Sequence, residues 1–319
     1  MLYASFFIVV GLILLIVGAE YVVKGSVAIA NKLKIPMIIV GLTVVALGTS
    51  LPEFVVSVKA ATSGSAGISI GNVVGSNIAN VLLILGSAAV FYPIKCRRRI
   101  FLRNYKFLFL VSAIFVAFAM SGKFIFWQGV IMIGLLVAFI YYNYKNSSKV
   151  AVSEDSLSPI ANKSWAFVIL VTVAGLFAIV YGADFLVNGA TKIAKMFGVS
   201  DEVIGLTIVA VGTSLPELAT TIVAAIKRQN DVALGNVIGS NIWNIVFIMG
   251  FTSIVTDVNV SKQFMYYDVW VMFLSTMLLY PVMMTKARMN RIEGGVFASV
   301  YILYLLSQLM IVRGYWTFG

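Results

Sequence analysis

Two glutamates, Glu53 and Glu217, each close the same six-residue segment, Gly-Thr-Ser-Leu-Pro-Glu, at 48–53 and again at 212–217. Each segment lies inside a long apolar run. An ionisable side chain at bilayer depth is expensive and usually marks function. The residues around Glu53 supply a chemistry. Pro52 has no N–H to give to the residue four back, and its ring strains that turn. This frees carbonyls near Leu47 and Gly48, with Ala46 a turn earlier. Thr49 and Ser50 place hydroxyls at the break, and Glu53 adds a carboxylate one turn on. Carbonyl, hydroxyl and carboxylate oxygens in one short segment are ligands for hard cations: Na⁺, Ca²⁺, Mg²⁺ or a proton. In hydrocarbon, such irregular backbone survives only when buried in protein or lining a polar cavity.

A second segment complements the first. Gly-Asn-Val-Val-Gly-Ser-Asn-Ile-Ala-Asn (71–80) puts Asn72, Ser76, Asn77 and Asn80 on an otherwise apolar span. Ser76 and Asn80 are four apart and share one helix face, so facing Glu53 they offer a hydroxyl and an amide oxygen. Gly71 and Gly75 permit close packing or a break. The later copy repeats the set with Ala210, Thr213, Ser214, Glu217, Ser240 and Asn244. Taken singly these residues have plain structural readings: a protonated glutamate, a proline kink, glycines for helix packing, hydroxyls bonded to their own backbone. Their joint repetition makes them a set. Two carboxylates balance one Ca²⁺ or two Na⁺, and competition between these ions for one pocket is a physical basis for exchange.

The elements that must hold these residues are membrane helices. The chain is 61% hydrophobic and 11% charged, with mean hydropathy +1.01, against roughly 25% charged residues in soluble domains. Apolar runs long enough to span a bilayer predict ten helices: 4–31, 36–63, 69–92, 104–120, 124–143, 165–195, 200–226, 232–255, 266–284 and 294–312. The N-terminus reads as the first of these, since it lacks a basic n-region and a cleavage pattern. The net charge of +11 is topological: six of the 23 basic residues fall in 95–106, a short link between apolar segments. With both termini outside, the inner side collects Lys32, Lys34, the Arg97–Arg99 run, Lys227, Arg228, Lys286, Arg288 and Arg291. The outer side keeps Lys59, Lys123, Lys192, Lys195, Lys262 and Arg313, which fixes the orientation. Nucleic acid is excluded as a partner by this distribution; the lipid bilayer takes its place, and anionic lipid is a further partner for the arginine-rich loop. Glu20 and Lys24 form an i,i+4 pair that anchors the first span, with Lys24 snorkelling.

Residues 40–53 match 204–217 at 11 of 14 positions, and 71–80 match 235–244 at 8 of 10, both at an offset of 164. A five-span unit is therefore duplicated: 1–142 and 165–319, joined by the polar linker 143–164. Five is odd, so the second unit enters from the opposite face, giving two inverted five-helix repeats in an all-α polytopic membrane protein. With no histidine and a single cysteine, Cys96, in a basic loop, a Cys/His metal site is excluded. An intramembrane enzyme would need a nucleophile or metal centre that the chain does not offer.

These motifs resemble the paired alpha repeats of the cation/Ca²⁺ antiporter superfamily, in its prokaryotic sodium/calcium exchanger branch. The resemblance covers nearly the whole chain. It implies a secondary antiporter without prosthetic group, a monomeric transport unit of a prokaryotic plasma membrane, whose transported partners are Ca²⁺ and Na⁺. It implies that Glu53 and Glu217 are shared ligands and that Thr49 and Thr213 contribute around the central site. Ser50, Ser76, Ser214 and Ser240 would be Na⁺ ligands, aided by the Ala46 and Ala210 carbonyls. The first and sixth spans would slide across a rigid core of the other eight. One position departs from a known archaeal pattern, which has Asn then Asp at the fourth residue after Gly-Ser: here Asn80 and Asn244 are both neutral. That leaves a Ca²⁺/H⁺ or K⁺-linked exchanger as the alternative. A channel is disfavoured, since an inverted repeat suits alternating access better than a continuous pore.

Overall fold

The computed structural model describes residues 2–145, 158, 160–197 and 210–315. Among them, eight helices are long and apolar enough to cross a bilayer. In chain order the helices are α1 (Leu2–Leu33), α2 (Met37–Thr49), α3 (Leu51–Thr62), α4 (Ala66–Phe91), α5 (Arg98–Ala119), α6 (Phe126–Lys145), α7 (Trp165–Met196), α8 (Leu215–Ile226), α9 (Asn230–Val255), α10 (Phe264–Lys286) and α11 (Arg291–Val312). Helices α2 and α3 are two halves bent by 47°, and they make a ninth span when taken together. Their later counterpart is described from a helical turn, Ala210–Gly212, into α8; positions 200–209 of the expected seventh span lie outside the described residues. Helix α5 starts six residues before the expected 104, because arginine side chains at an interface extend their charge away from the helix while their stems stay against it.

Polarity decides which helices are central. In α4 and α9, 78% and 94% of the most apolar window is buried, against 33% in α1 and α7 and 11% in α11. The asparagines and serines of α4 and α9 must find partners inside protein, so these two helices form the middle. Both contain a π-helical turn, Asn80–Leu85 and Trp243–Met249, at the asparagine that ends the repeated motif. Such turns are frequent at functional sites. The opposite copy braces them: Trp243, where the first copy has Ala79, donates its indole N–H to the Leu42 carbonyl at 2.9 Å, and Phe54 stacks on Phe247 at 4.9 Å between ring centres.

The outer pair α1 and α7 runs antiparallel along glycines. Gly11, Gly18 and Gly25 recur every seven residues on α1, and Gly175, Gly182 and Gly189 on α7. A Cβ placed on Gly18 would lie 2.8 Å from the Gly175 carbonyl oxygen, and one on Gly11 2.7 Å from that of Gly182. Small residues let the backbones approach this closely. Short strands tie the two halves at both ends of the bundle: β1 (Ile94–Lys95) pairs with β4 (Arg288–Met289), and β2 (Lys123–Phe124) with β3 (Val258–Asn259). The expected Glu20–Lys24 pair is present at 2.9 Å and gains a third member, Lys227 at the end of α8, at 2.8 Å.

Cys96 follows β1, with its thiol directed at the Met283 carbonyl at 3.6 Å. Burial pushes the thiol up to about 11, outweighing the opposing pull of Arg98, and Asp231 adds to the rise. The thiolate is the nucleophile, and a raised value keeps the neutral thiol dominant below it. At pH 8 the thiolate fraction is therefore on the order of a thousandth. Alkylation of Cys96 by iodoacetamide should be slow at pH 8 and accelerate up to pH 11; a rate at pH 8 equal to that of free glutathione contradicts this environment.

Candidate cation site

The break that the proline predicts falls at Ser50, whose backbone (φ −86°, ψ 6°) caps α3, with Pro52 in the first turn and Glu53 third. Ser214 (φ −89°, ψ 4°), Pro216 and Glu217 repeat this at the start of α8. A carboxylate in the first turn faces the positive end of the helix dipole. Ser-x-x-Glu at a helix start spells a capping box, in which serine and glutamate bond each other's backbone. Neither copy makes the cap through its serine. Ser50 Oγ instead reaches across to the other copy and donates to Glu217 Oε1 at 2.8 Å, and Ser240 Oγ donates to the same oxygen at 3.4 Å.

The counterpart of that bond is weaker. Ser214 lies beside the Glu53 carboxyl but donates to Ser76 Oγ at 3.3 Å, and both carboxylate oxygens of Glu53 are buried without a well-formed hydrogen bond. Glu53 and Glu217 are each 1% exposed and close enough to interact electrostatically. Glu217 Oε2 and the side-chain oxygens of Asn77, Asn80 and Asn244 are likewise buried and unpartnered. Asn80 donates its amide to Asn241 Oδ1 at 2.9 Å. Buried polar oxygens are ordinarily satisfied. A set of unpaired carboxylate and amide oxygens fits a hard cation, which takes about 6–8 oxygens when it is Ca²⁺.

The expected ligands therefore meet across the two copies, Ser50 with Glu217 and Ser214 with Ser76, while Ser240 joins Glu217 from within its own copy. Thr49 and Thr213 donate to the amide oxygens of Asn236 (3.3 Å) and Asn72 (3.4 Å), and the Thr49 hydroxyl also lies beside the Glu217 carboxyl. The Ala46 carbonyl is not a freed one, because it already accepts the Ser50 N–H at 3.0 Å and the Thr49 hydroxyl at 3.4 Å. The helix ends at Thr49, and the donor that Pro52 lacks would have gone to the Gly48 carbonyl, four residues back. Near Ala210 the counterpart N–H of Ser214 goes to the Val211 carbonyl at 3.1 Å. Gly71 and Gly75 do not break α4, which is helical through both. Gly71 faces the Phe264 ring, and a Cβ at Gly75 would meet nothing within 4 Å.

Two residues missed as site members hold the geometry. Asn72 donates to the Glu53 carbonyl at 3.0 Å and to Ser57 Oγ at 2.8 Å, while its own oxygen takes the Thr213 hydroxyl. Asn236 does the same with the Glu217 carbonyl (3.4 Å), Thr221 (3.0 Å) and Thr49. Each asparagine ties a glutamate-bearing half-helix to its own copy and to the other. The 164-residue offset was the signal, since Asn72 and Asn236, and Ser57 and Thr221, are equivalent positions. Asn72→Ala or Asn236→Ala strands a carbonyl and hydroxyls and should destabilise the protein by about 1–3 kcal/mol. The cation's half-saturating concentration should rise roughly tenfold with a smaller change in maximal flux, as expected when ligands are misplaced. A loss of maximal flux with unchanged half-saturation would contradict a positioning role.

The family model for sodium/calcium exchanger proteins matches twice, over residues 3–145 and 167–310. The putative antiporter CaxA of Alkalimonas amylolytica is 37% identical, with 95% of this chain and 98% of the relative covered. The sodium/calcium exchanger MaX1 of Methanosarcina acetivorans is 32% identical, with 94% and 96% covered. Among solved structures, the sodium-calcium exchanger NCX_Mj, in a form soaked with zero Na⁺ and Ca²⁺, superposes with a TM-score of 0.83 at 33% identity, covering 96% of this chain and 99% of that one. These relatives are transporters, and a membrane-embedded cation/Ca²⁺ antiporter is what the likeness supports. The chain belongs to the sodium/calcium exchanger protein family.

Proposed function

We propose that this protein exchanges Ca²⁺ for Na⁺ across a prokaryotic cell membrane by alternating access, with both ions competing for one site between Glu53 and Glu217. The observation that carries this reading is the hydrogen bond from Ser50 to Glu217 across the two copies, beside a Glu53 carboxylate buried without a well-formed hydrogen bond. Two buried charges can be tolerated only with compensating cations, a bound proton among them. Ca²⁺ supplies both charges at once; two Na⁺ supply them one by one. In this reading Ser50, Ser76, Ser214 and Ser240, the amides of Asn80 and Asn244 and the Ala210 carbonyl complete the shell, and Thr49 and Thr213 border it.

The matching hydrogen bonds of Asn72 and of Asn236, the matching strand pairs β1–β4 and β2–β3, and the facing glycines of α1 and α7 support two inverted five-helix units, ten spans in all, as does the double family match. Glycine-lined contact along their whole length suits α1 and α7 to move as one body. The basic residue distribution supports both termini outside. The test is ion replacement in proteoliposomes. Ca²⁺ uptake should follow an outward Na⁺ gradient and vanish when K⁺ replaces Na⁺ at constant pH. Uptake that follows a pH gradient and ignores Na⁺ would establish the Ca²⁺/H⁺ alternative, which neutral Asn80 and Asn244 keep in view.

A further inference from the structure

Away from the candidate cation site, a cavity of about 1330 Å³ opens between α5 and α6 at the end of the bundle carrying the basic loop. Arg99, Arg103 and Lys106 line it from α5 at i, i+4 and i+7 spacing, which places them on one helix face, and Lys145 lines it from the last turn of α6. No acidic side chain lines it among the described residues. Arg97, at the rim, is paired with Asp231 at 3.6 Å. Deeper along the same two helices the lining turns apolar: Phe107 and Leu110 on α5, Ala138 on α6. Phe107 and Phe139 close the floor with ring centres 4.8 Å apart. Exposed Tyr141 and Tyr142 stand between the charged and apolar parts, the level at which amphipathic rings collect in a membrane.

We propose that this groove is a binding site for an anionic phospholipid, with the phosphodiester headgroup held by Arg99, Arg103, Lys106 and Lys145 and an acyl chain laid along Phe107, Leu110 and Ala138. Guanidinium groups match phosphate oxygens in a planar, two-point fashion. Arg99, Lys106 and Lys145, brought to one groove from two helices, call for more than one negative charge, which favours a diphosphatidylglycerol over a singly charged lipid. A free phosphate would use the cations and leave the apolar floor in contact with water. The site is separate from the ion pathway and does not depend on which counter-ion is exchanged.

The test titrates tetraoleoyl cardiolipin onto the detergent-purified full chain and reads bound lipid by native mass spectrometry. The triple substitution Arg99→Gln, Arg103→Gln, Lys106→Gln should weaken binding on the order of a hundredfold, at about fivefold per interfacial charge. The double substitution Lys286→Gln, Arg288→Gln removes basic charge outside the groove and should have a much smaller effect per charge. Equal loss per charge in both variants would reduce the effect to general surface charge and overturn the site, as would undiminished binding in the triple variant. Lys145→Gln alone, on the other helix, should weaken binding about fivefold, so the result does not rest on the triple variant folding. Excess inorganic phosphate should leave cardiolipin bound; displacement by phosphate would make the ligand a free anion and overturn the lipid assignment.

Discussion

Glu53→Gln and Glu217→Gln are each expected to lower Ca²⁺ exchange by between roughly 150-fold and 5000-fold, the 3–5 kcal/mol lost when one partner of a buried charge pair is removed. The substitution keeps volume and one oxygen but halves the charge that offsets a divalent cation. Measured as ⁴⁵Ca²⁺ uptake into Na⁺-loaded vesicles at matched protein content, normal flux in either variant would refute the ligand assignment. The same variants make a second prediction of opposite sign. Without ions the native protein holds two buried carboxylates that repel, and neither oxygen of Glu53 has a well-formed hydrogen bond. Glu53→Gln should therefore raise the ion-free melting temperature while abolishing most of the shift caused by Ca²⁺. At a hundred times the dissociation constant a ligand stabilises by about 2.7 kcal/mol, and a hundredfold weaker site leaves about 0.4 kcal/mol at that concentration. A carboxylate with a merely structural role would move the two melting curves together.

The two glutamates differ in their surroundings, and this has a consequence for the serines. Ser50 supports Glu217 directly, at 2.8 Å, whereas Ser214 supports Ser76. The structure is thus asymmetric at its centre although its sequence motifs are identical. An asymmetric pocket is what an alternating mechanism passes through, since each end-state favours one copy over the other.

The candidate cation site was legible because its chemistry is written in residue types that have no reason to sit in hydrocarbon. Glu53, Pro52 and the hydroxyls beside them announce themselves against an apolar background, and repetition at 164 residues doubles the signal. What the chain does not spell out is partner choice. Ser-x-x-Glu reads equally well as a helix cap, as Asn290 and Glu293 show by forming one at the start of α11, while Ser50 and Glu53 do not. Only packing of the opposite copy decides between the two. Asn72 and Asn236 were visible as polar positions, yet their role as braces depends on half-helix carbonyls whose location follows from the 47° bend. The seven-residue glycine spacing in α1 and α7 was open to inspection, but attention to the motif glycines Gly71 and Gly75 hid it, and those two make no close backbone contact.

Those overlooked glycines give the largest stability effect. Gly18 and Gly175 sit opposite each other where α1 crosses α7, each with an added Cβ landing within 3.0 Å of the other's carbonyl oxygen, and Gly182 stands in the same relation to Gly11. Backbone cannot yield as a side-chain tip can, so the helices must separate. Gly18→Ala is expected to destabilise by about 1–3 kcal/mol, the usual range for overpacking, and Gly18→Leu to prevent recovery of monodisperse protein. Gly295→Ala on α11, where an added Cβ meets nothing within 4 Å, is the control and should be neutral or slightly stabilising, because alanine favours helix by about 1 kcal/mol over glycine. Thermal unfolding of purified protein, followed by size-exclusion fluorescence, reads all three. If Gly18→Ala melts with the native protein, the two helices are not locked backbone to backbone. They would then be free to shift past each other, and a single moving body made of α1 and α7 would be ruled out.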